Sequence, residues 1–170
     1  MSHEYIGNSD MRALVLEILR DMQQQQWRPD YVVGLTRGGL TPAVMISHYL
    51  DIPMYSLQVS LRDNTTTSES NLWMAEDAFQ GRRILVVDDI NDTGETLNWI
   101  MQDWPSGCFP NDQEAWQKVW NQNVKFAVLI NNVASHCKIK MDFCGQEINK
   151  LEESKWIVFP WEQWWTHKYS

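Results

Sequence analysis

The chain has 170 residues and a formal net charge of −8, and hydrophobic residues make up 44% of it. This composition is that of an ordinary globular domain and excludes a disordered chain. The excess of acidic residues argues against a nucleic acid or an anionic membrane as partner, because such binding relies on many Lys and Arg side chains. A phosphorylated ligand would have to be held locally, by main-chain N–H groups, a few basic side chains or a metal ion.

The start of the chain lacks the pattern of a signal peptide, and no apolar run is long enough to span a membrane, so we expect a cytoplasmic protein. The three cysteines, Cys108, Cys137 and Cys144, show no metal-ligand spacing. We interpret them as free thiols in a reducing compartment.

The first part of the chain predicts two helices and two strands. Apolar residues at helical spacing predict a helix over residues 10–27, with Asp10 as its N-cap. An apolar run predicts a buried strand over residues 31–35. A second helix is predicted over residues 40–50, and a second strand over residues 54–59.

The rest of the chain continues the alternation of strands and helices. A strand is predicted over residues 84–87, a helix over about 95–104, and an insertion with a short helix over 105–123. Further strands are predicted over residues 126–130, 139–143 and 156–159. This pattern predicts an α/β fold, a mostly parallel twisted sheet flanked by helices.

The most informative segment follows the strand at residues 84–87. It reads Asp88-Asp89-Ile90-Asn91-Asp92-Thr93-Gly94-Glu95-Thr96. Ligands of parallel sheets bind beyond the carboxyl ends of the strands. We expect the chain to bend sharply after Val87, so that free N–H groups face an anion with a helix dipole behind them. Gly94 would let the main chain approach the ligand closely.

Asp88 and Asp89 are adjacent acids, which repel each other unless a cation or hydroxyl donors neutralise them. Ribose hydroxyls and a Mg²⁺-bearing diphosphate both qualify, which makes these two carboxylates candidates to bind the hydroxyls or the Mg²⁺. An ordinary cap of a strand-to-helix turn needs only one polar residue. A Walker A phosphate loop is excluded, since the chain contains no Gly-Lys-Ser or Gly-Lys-Thr.

The segment resembles the PRPP (5-phosphoribosyl 1-pyrophosphate) signature of the type I phosphoribosyltransferases: an apolar strand, two acids, then Asp-Thr-Gly-x-Thr. The resemblance implies that family's fold with a small C-terminal hood. It implies that Asp88 and Asp89 bind the ribose hydroxyls, and that Asp92 is a general base near N7 of a purine. The residues expected to bind the ribose and its 5′-phosphate are Asp88, Asp89, Asn91, Asp92, Thr93, Gly94, Glu95 and Thr96.

A second strand end, Thr36-Arg37-Gly38-Gly39, resembles the pyrophosphate-binding loop of the purine-salvage members. The glycines would free main-chain N–H groups, and Arg37 offers a charged fork for diphosphate oxygens. The resemblance also implies a cis peptide bond between Thr36 and Arg37.

Residues 60–72 are polar and lack periodicity, which predicts a long loop. The family has a mobile lid at this place, and the resemblance makes Ser60, Leu61 and Arg62 candidates to cover the diphosphate. A plain surface loop is the alternative.

The segment Trp156-Ile157-Val158-Phe159-Pro160-Trp161 resembles the hood of bacterial and archaeal xanthine-guanine and hypoxanthine phosphoribosyltransferases. There an aromatic or aliphatic residue stacks on the purine, which implies Trp156 or Ile157 here, and Ile90 is a further candidate for base contact. Trp116, Trp120, Trp164 and Trp165 are assigned to packing or to a subunit interface.

The sequence departs from the family after the strand at residues 126–130. A lysine that reads the purine 6-oxo group usually follows that strand, and Asn131-Asn132 stand there instead. Asn132 can still donate a hydrogen bond to an oxo group, and Lys138 or Lys140 are alternatives.

The resemblance therefore implies a Mg²⁺-dependent enzyme of purine salvage. It would transfer the phosphoribosyl group of PRPP to a purine base, giving a nucleoside monophosphate and pyrophosphate. The alternatives are a PRPP- or nucleotide-sensing regulator of the same fold, and a transferase for a pyrimidine-like acceptor. We expect one domain over residues 1–170, with its core over 30–143 and a hood over 144–170 plus the N-terminal segment. A homo-oligomer, dimer or tetramer, is expected because family members commonly form them.

Overall fold

The computed structural model describes residues 2–59 and 71–166. Its elements are, in chain order, β1 (Ser2–Tyr5), α1 (Asn8–Gln24), β2 (Tyr31–Thr36), α2 (Leu40–Leu50), β3 (Met54–Gln58), α3 (Leu72–Phe79), β4 (Ile84–Asn91), α4 (Glu95–Gly107), α5 (Gln113–Gln117), β5 (Val124–Asn132), β6 (Phe143–Ile148), β7 (Lys155–Val158) and a 3-10 turn (Trp164–Thr166).

The main sheet has five strands in the order β3-β2-β4-β5-β6, and every neighbouring pair is parallel. Successive residues of a strand point to opposite faces, so Val33 and Val86 pack with α3 and α4, whereas Val32 and Val87 pack with α1 and α2. Helices therefore cover both faces of a parallel sheet, which confirms the predicted fold class.

The central pair of strands positions the site. β2 and β4 are neighbours, with Gly34 opposite Val87, so the loops that follow the two strands leave the same edge of the sheet side by side. Both of the segments singled out in the sequence lie on these loops.

The chain ends form a second, two-stranded sheet. β1 pairs in parallel with β7, His3 opposite Trp156, and the N–H of Ile6 donates to the carbonyl of Val158 at 2.8 Å. The N-terminal segment therefore lies beside the predicted hood. The main sheet ends with β6, which runs to Ile148, so it extends past residue 143, the predicted end of the core.

The first helix differs from its prediction. It begins at Asn8 and ends at Gln24, and its N-cap is Gly7. Asp10 is the third residue of the helix, where its carboxylate accepts a hydrogen bond from the N–H of Gly7 at 3.0 Å. An acid at the third position of a helix accepts a hydrogen bond from the N–H of the cap residue, which would otherwise have no partner.

Two other predictions were wrong in placement. Helix α3 begins at Leu72, within the predicted loop, and it was not foreseen. The strand predicted over 139–143 is instead β6, which begins at Phe143. The preceding Asp142 accepts hydrogen bonds from the N–H of Phe126 and from the side chain of Asn121, which places residues 139–142 beside the sheet and outside its ladder.

The insertion is part of the core. Helix α4 runs through Pro105 to Gly107, and the rings of Trp104, Trp116 and Trp120 pack together beneath the sheet. The indole N–H of Trp116 donates to the carbonyl of Cys108 at 2.8 Å. The assignment of Trp116 and Trp120 to packing is confirmed.

All three cysteines are free. None of the helices within residues 2–59 and 71–166 combines the length and the apolar character that a membrane span requires.

Candidate functional site

The two acids lie within strand β4 and not after it. The strand continues through Asn91, with Ile90 opposite Ile130 and Asn91 opposite Asn131. The expected bend after Val87 is therefore wrong, because pairing with β5 keeps the chain extended for four more residues. The turn begins at Asp92 and ends at Gly94, whose φ of 92° lies in the left-handed region.

The turn forms an open cup at the start of α4. A cavity of about 210 Å³ is lined by Asp88, Asp89, Ile90, Asn91, Asp92, Thr93, Gly94, Thr96 and Leu97. Within the described parts of the chain, the N–H groups of Thr93, Gly94 and Thr96 have no hydrogen-bond acceptor. The N–H of Glu95 makes only a long bond, 3.3 Å, to the hydroxyl of Thr93. Bare N–H groups before a helix form a binding site for an anion.

The loop after β5 supports the cup from behind. The N–H of His136 donates to the carbonyl of Thr93 at 2.9 Å, and the side chain of Asn98 donates to the carbonyl of His136 at 3.0 Å. The main chain of Cys137 lies so close to Gly94 that no Cβ atom would fit. This support is contributed by residues that the sequence motif does not contain.

Asn91 is buried and joins this support. Its side-chain amide donates to Asn131 at 2.8 Å and to Ser135 at 2.9 Å. Its side chain therefore links β4 to the loop after β5, and the predicted contact of Asn91 with the ligand stays a prediction.

Ionisation of the adjacent carboxyl groups of Asp88 and Asp89 is unfavourable. Burial raises the pKa of Asp88 well above its usual value, and the neighbouring Asp89 raises it further. Burial also raises the pKa of Asp89, although hydrogen bonds from Asp88 and from the N–H of Ile90 act against it. A bound cation or hydroxyl donors would relieve this cost.

The second predicted loop meets these acids. The Thr36–Arg37 peptide bond is cis, as the resemblance implied. Gly38 lies against the carboxylate of Asp89, and a Cβ atom at this position would overlap it. A cavity of about 570 Å³ opens here and is lined by Arg37, Gly38, Asp89, Trp161, Glu162, Gln163 and Trp165. The structure thus brings together two segments that lie some fifty residues apart in the chain.

The hood offers one accessible ring. Trp156 is 50% exposed, whereas Ile157 is buried in the apolar cluster beneath α1. Of the two stacking candidates, only Trp156 has a face open to a ligand. Ile90 is partly buried against the same cluster as Ile157.

The side chain of Asn132 is hydrogen-bonded to the main chain of three residues. Its side-chain N–H₂ donates to the carbonyl of Asp92 at 2.9 Å, and its oxygen accepts from the N–H groups of Ala134 and Lys150 at 3.2 and 3.1 Å. These bonds hold the side chain of Asn132 against the main chain at Asp92 and Lys150, and its predicted base contact stays a prediction.

The lysine next to the site is Lys150. Its Nζ lies 2.9 Å from Oδ1 of Asp92. Lys138 and Lys140 are placed elsewhere, with their main chains bonded to Asn98 and Asn121. Sequence reasoning missed Lys150, and its only signal was its position shortly before Trp156.

The candidate ligands of a Mg²⁺ ion are the carboxylates of Asp88 and Asp89. Among the residues that the structure describes, no group of three or more His, Cys, Asp and Glu side chains could hold a metal. Asp88 and Asp89 instead offer two carboxylates, which fits a Mg²⁺ that keeps several waters and arrives on a substrate diphosphate. The lid candidates Ser60, Leu61 and Arg62 lie outside the described residues.

Comparison with known proteins agrees with this geometry. Residues 6–164 match the phosphoribosyl transferase domain. The chain belongs to this family. The match runs from the residue after β1 to the start of the 3-10 turn.

Among curated relatives, a xanthine-guanine phosphoribosyltransferase of Cereibacter sphaeroides is 26% identical over 160 residues, 86% of this chain and 83% of the relative. Among solved structures, a purine phosphoribosyltransferase from Pyrococcus horikoshii Ot3 has a TM-score of 0.63 at 24% identity, covering 96% of both chains. The Helicobacter pylori xanthine-guanine-hypoxanthine phosphoribosyltransferase has a TM-score of 0.64 at 20% identity, covering 95% of this chain and 94% of the other. The two structures establish likeness of fold.

Proposed function

We propose that this phosphoribosyl transferase domain transfers the 5-phosphoribosyl group of PRPP to a purine base and releases pyrophosphate. The observation that carries the proposal is the meeting of two loops at one sheet edge. Bare N–H groups after Asp92 offer a place for the 5′-phosphate, while Arg37 and Gly38 lie beside Asp89, where a diphosphate would leave. The names of the curated relative and of the two structures support a purine as acceptor.

In the proposed reaction, a ring nitrogen of the base forms a bond to C1 of the ribose while the bond from C1 to the pyrophosphate oxygen breaks. Positive charge develops at C1, as in glycoside cleavage. Asp88 and Asp89 would hold the ribose hydroxyls, and Arg37 would stabilise the charge on the leaving diphosphate. Asp92 would accept the proton at N7 of the base.

We also propose that Asp88 and Asp89 hold Mg²⁺ together with the diphosphate. The ion would neutralise charge on the leaving group. The raised pKa values of both carboxyls support this role, since each carboxylate gains from a nearby cation.

The test is release of pyrophosphate from PRPP and Mg²⁺, measured with xanthine, guanine, hypoxanthine, adenine and orotate in turn. The proposal expects release with at least one purine and none with orotate. Release with orotate alone would favour a pyrimidine-like acceptor. Binding of PRPP with no release from any base would favour a nucleotide-sensing regulator.

A further inference from the structure

Three peptide groups of the turn that forms the cup belong to neither the sheet nor the helix. Strand β4 ends at Asn91, and α4 begins at Glu95. The peptide groups that follow Asp92, Thr93 and Gly94 lie between these two elements. Within a planar trans peptide group the C=O and the N–H point in opposite directions. The direction of each of these three carbonyls therefore determines where the N–H of the next residue points.

Each of the three carbonyls accepts a hydrogen bond from behind the cup. The side-chain amide of Asn132 donates to the carbonyl of Asp92 at 2.9 Å. The N–H of His136 donates to the carbonyl of Thr93 at 2.9 Å. The third carbonyl accepts from the N–H of Asn98 at 3.0 Å, which is the ordinary bond of a first helical turn. The first two bonds come from groups outside the turn and its helix.

The opposite side of these peptide groups faces the cup. The N–H groups of Thr93 and Gly94 have no acceptor in the part of the chain that the structure describes, and both residues line the cavity of about 210 Å³. If such a peptide group rotated by half a turn, it would present a carbonyl oxygen to a bound phosphate in place of an N–H. Attraction would become repulsion. The hydrogen bonds behind the cup oppose that rotation.

The side chain of Asn132 is itself held in place. It is 5% exposed, and its oxygen accepts from the N–H groups of Ala134 and Lys150 at 3.2 and 3.1 Å. These bonds orient the amide so that its N–H₂ group meets the carbonyl of Asp92. A buried donor that loses its acceptor costs free energy, so Asn132 resists rotation of the peptide group that follows Asp92.

The side chain of Asn98 holds the loop that carries the second donor. It donates to the carbonyl of His136 at 3.0 Å and accepts from the N–H of Lys138 at 2.7 Å. The loop after β5 is thereby tied to α4, the helix whose start forms the cup. This keeps the N–H of His136 opposite the carbonyl of Thr93.

We propose that Asn132 and Asn98 are positioning residues of the cup. Through the bonds behind the turn, they aim the N–H groups of Thr93 and Gly94 at the terminal phosphate of a phosphoribosyl ligand. The inference rests on the proposed function, and it adds two side chains that lie outside the motif of residues 88–96. Both side chains act on the phosphate through the main chain.

The test is the ratio of the affinities for inosine 5′-monophosphate and inosine, measured by calorimetric titration. The base and the ribose cancel in this ratio, so it reports on the phosphate. Asn132→Ala should lower the ratio by about tenfold or more, the effect of losing one hydrogen bond to a charged group. Asn98→Ala should lower it less, because the main chain of His136 stays beside the turn.

The matched control is Asn123→Ala. The side-chain amide of Asn123 also donates to main-chain carbonyls, those of Ala78 and Arg82, at 2.8 and 2.9 Å. Asn123 precedes β5, at the end of the strand that lies away from the cup. The ratio in this variant should equal that of the wild type.

Thermal unfolding shows whether each variant is folded. If Asn132→Ala is not, Asn98→Ala decides, since alanine suits its helical position. A folded variant whose ratio equals that of the wild type would overturn the positioning role of its residue, and an equal fall in Asn123→Ala would overturn both roles. These results leave the proposed function standing. Equal affinities of the wild type for the two ligands would instead refute phosphate binding by the cup, and the proposed function with it.

Discussion

Gly38 lies directly against the carboxylate of Asp89, so that a Cβ atom at position 38 would overlap that carboxylate. The two residues come from different loops, one after β2 and one within the end of β4. Their contact fixes the distance between the proposed diphosphate loop and the proposed ribose-binding acids. A substitution at this contact therefore tests whether the two loops act as one site.

Gly38→Ala should lower kcat/KM for PRPP by about 100-fold, because a displacement of roughly 1 Å at a reacting centre can cost that much. The fold should persist, since the displaced group is the end of a side chain that lines an open cavity. Gly107→Ala is the matched control, because its Cβ atom would meet only the end of the Leu72 side chain at 3.2 Å. Equal activity of the two variants would contradict the role of the Gly38–Asp89 contact.

Gly94→Ala should destabilise the protein more than Gly81→Ala does. The two glycines have nearly the same φ, 92° and 90°, so both variants bear the left-handed strain of about 1–2 kcal/mol. Only at Gly94 would the Cβ atom also overlap the main chain of Cys137, because nothing lies within 4 Å of a Cβ atom at Gly81. Urea unfolding measures the difference, and equal losses would show that the loop after β5 does not support the cup.

Asp88→Asn should stabilise the protein in the absence of divalent cations while weakening PRPP binding. Burial raises the pKa of Asp88, so the folded protein loses stability as pH rises from the unfolded value, about 3.9, through the higher folded value. Asparagine removes that charge and keeps the oxygen that accepts from the N–H of Asp89.

The gain should be about 1–2 kcal/mol near pH 8 and should shrink towards about pH 4. Thermal unfolding of both proteins in EDTA at several pH values measures it. A variant that is less stable than the wild type near pH 8 would contradict the account of the carboxylate pair.

Trp116→Ala should destabilise the protein by about 3–5 kcal/mol, the usual cost of removing a buried aromatic side chain. Its ring is 1% exposed and its indole N–H is bonded to Cys108. Trp164→Ala is the control, with a ring that is 67% exposed. If chemical unfolding shows similar stability for both variants, the insertion is not part of the core.

The sequence predicts best where a structural cause lies within a few neighbouring residues. Apolar β-branched runs predict β2 and β4, and the residues of the phosphate turn are contiguous, so the candidate site could be located in advance. The length of β4 could not be predicted from the sequence, because its last residues stay extended only through pairing with Ile130 and Asn131.

Contacts between distant segments were beyond the sequence. β1 exists only through its pairing with β7, and Lys150 reaches Asp92 only because β6 returns the chain to the site. The side chain of Asn132 looked free to read a base, yet its bonds to Asp92 and Lys150 follow from the three-dimensional fold.

The most direct test of the account is the affinity of the protein for inosine 5′-monophosphate compared with inosine, measured by calorimetric titration. The two ligands differ only in the phosphate that the bare N–H groups after Asp92 are proposed to hold. Several hydrogen bonds to a charged group should make the nucleotide bind about 100-fold more tightly or better. Equal affinities would show that the cup does not bind phosphate, and the proposed function would fail with it.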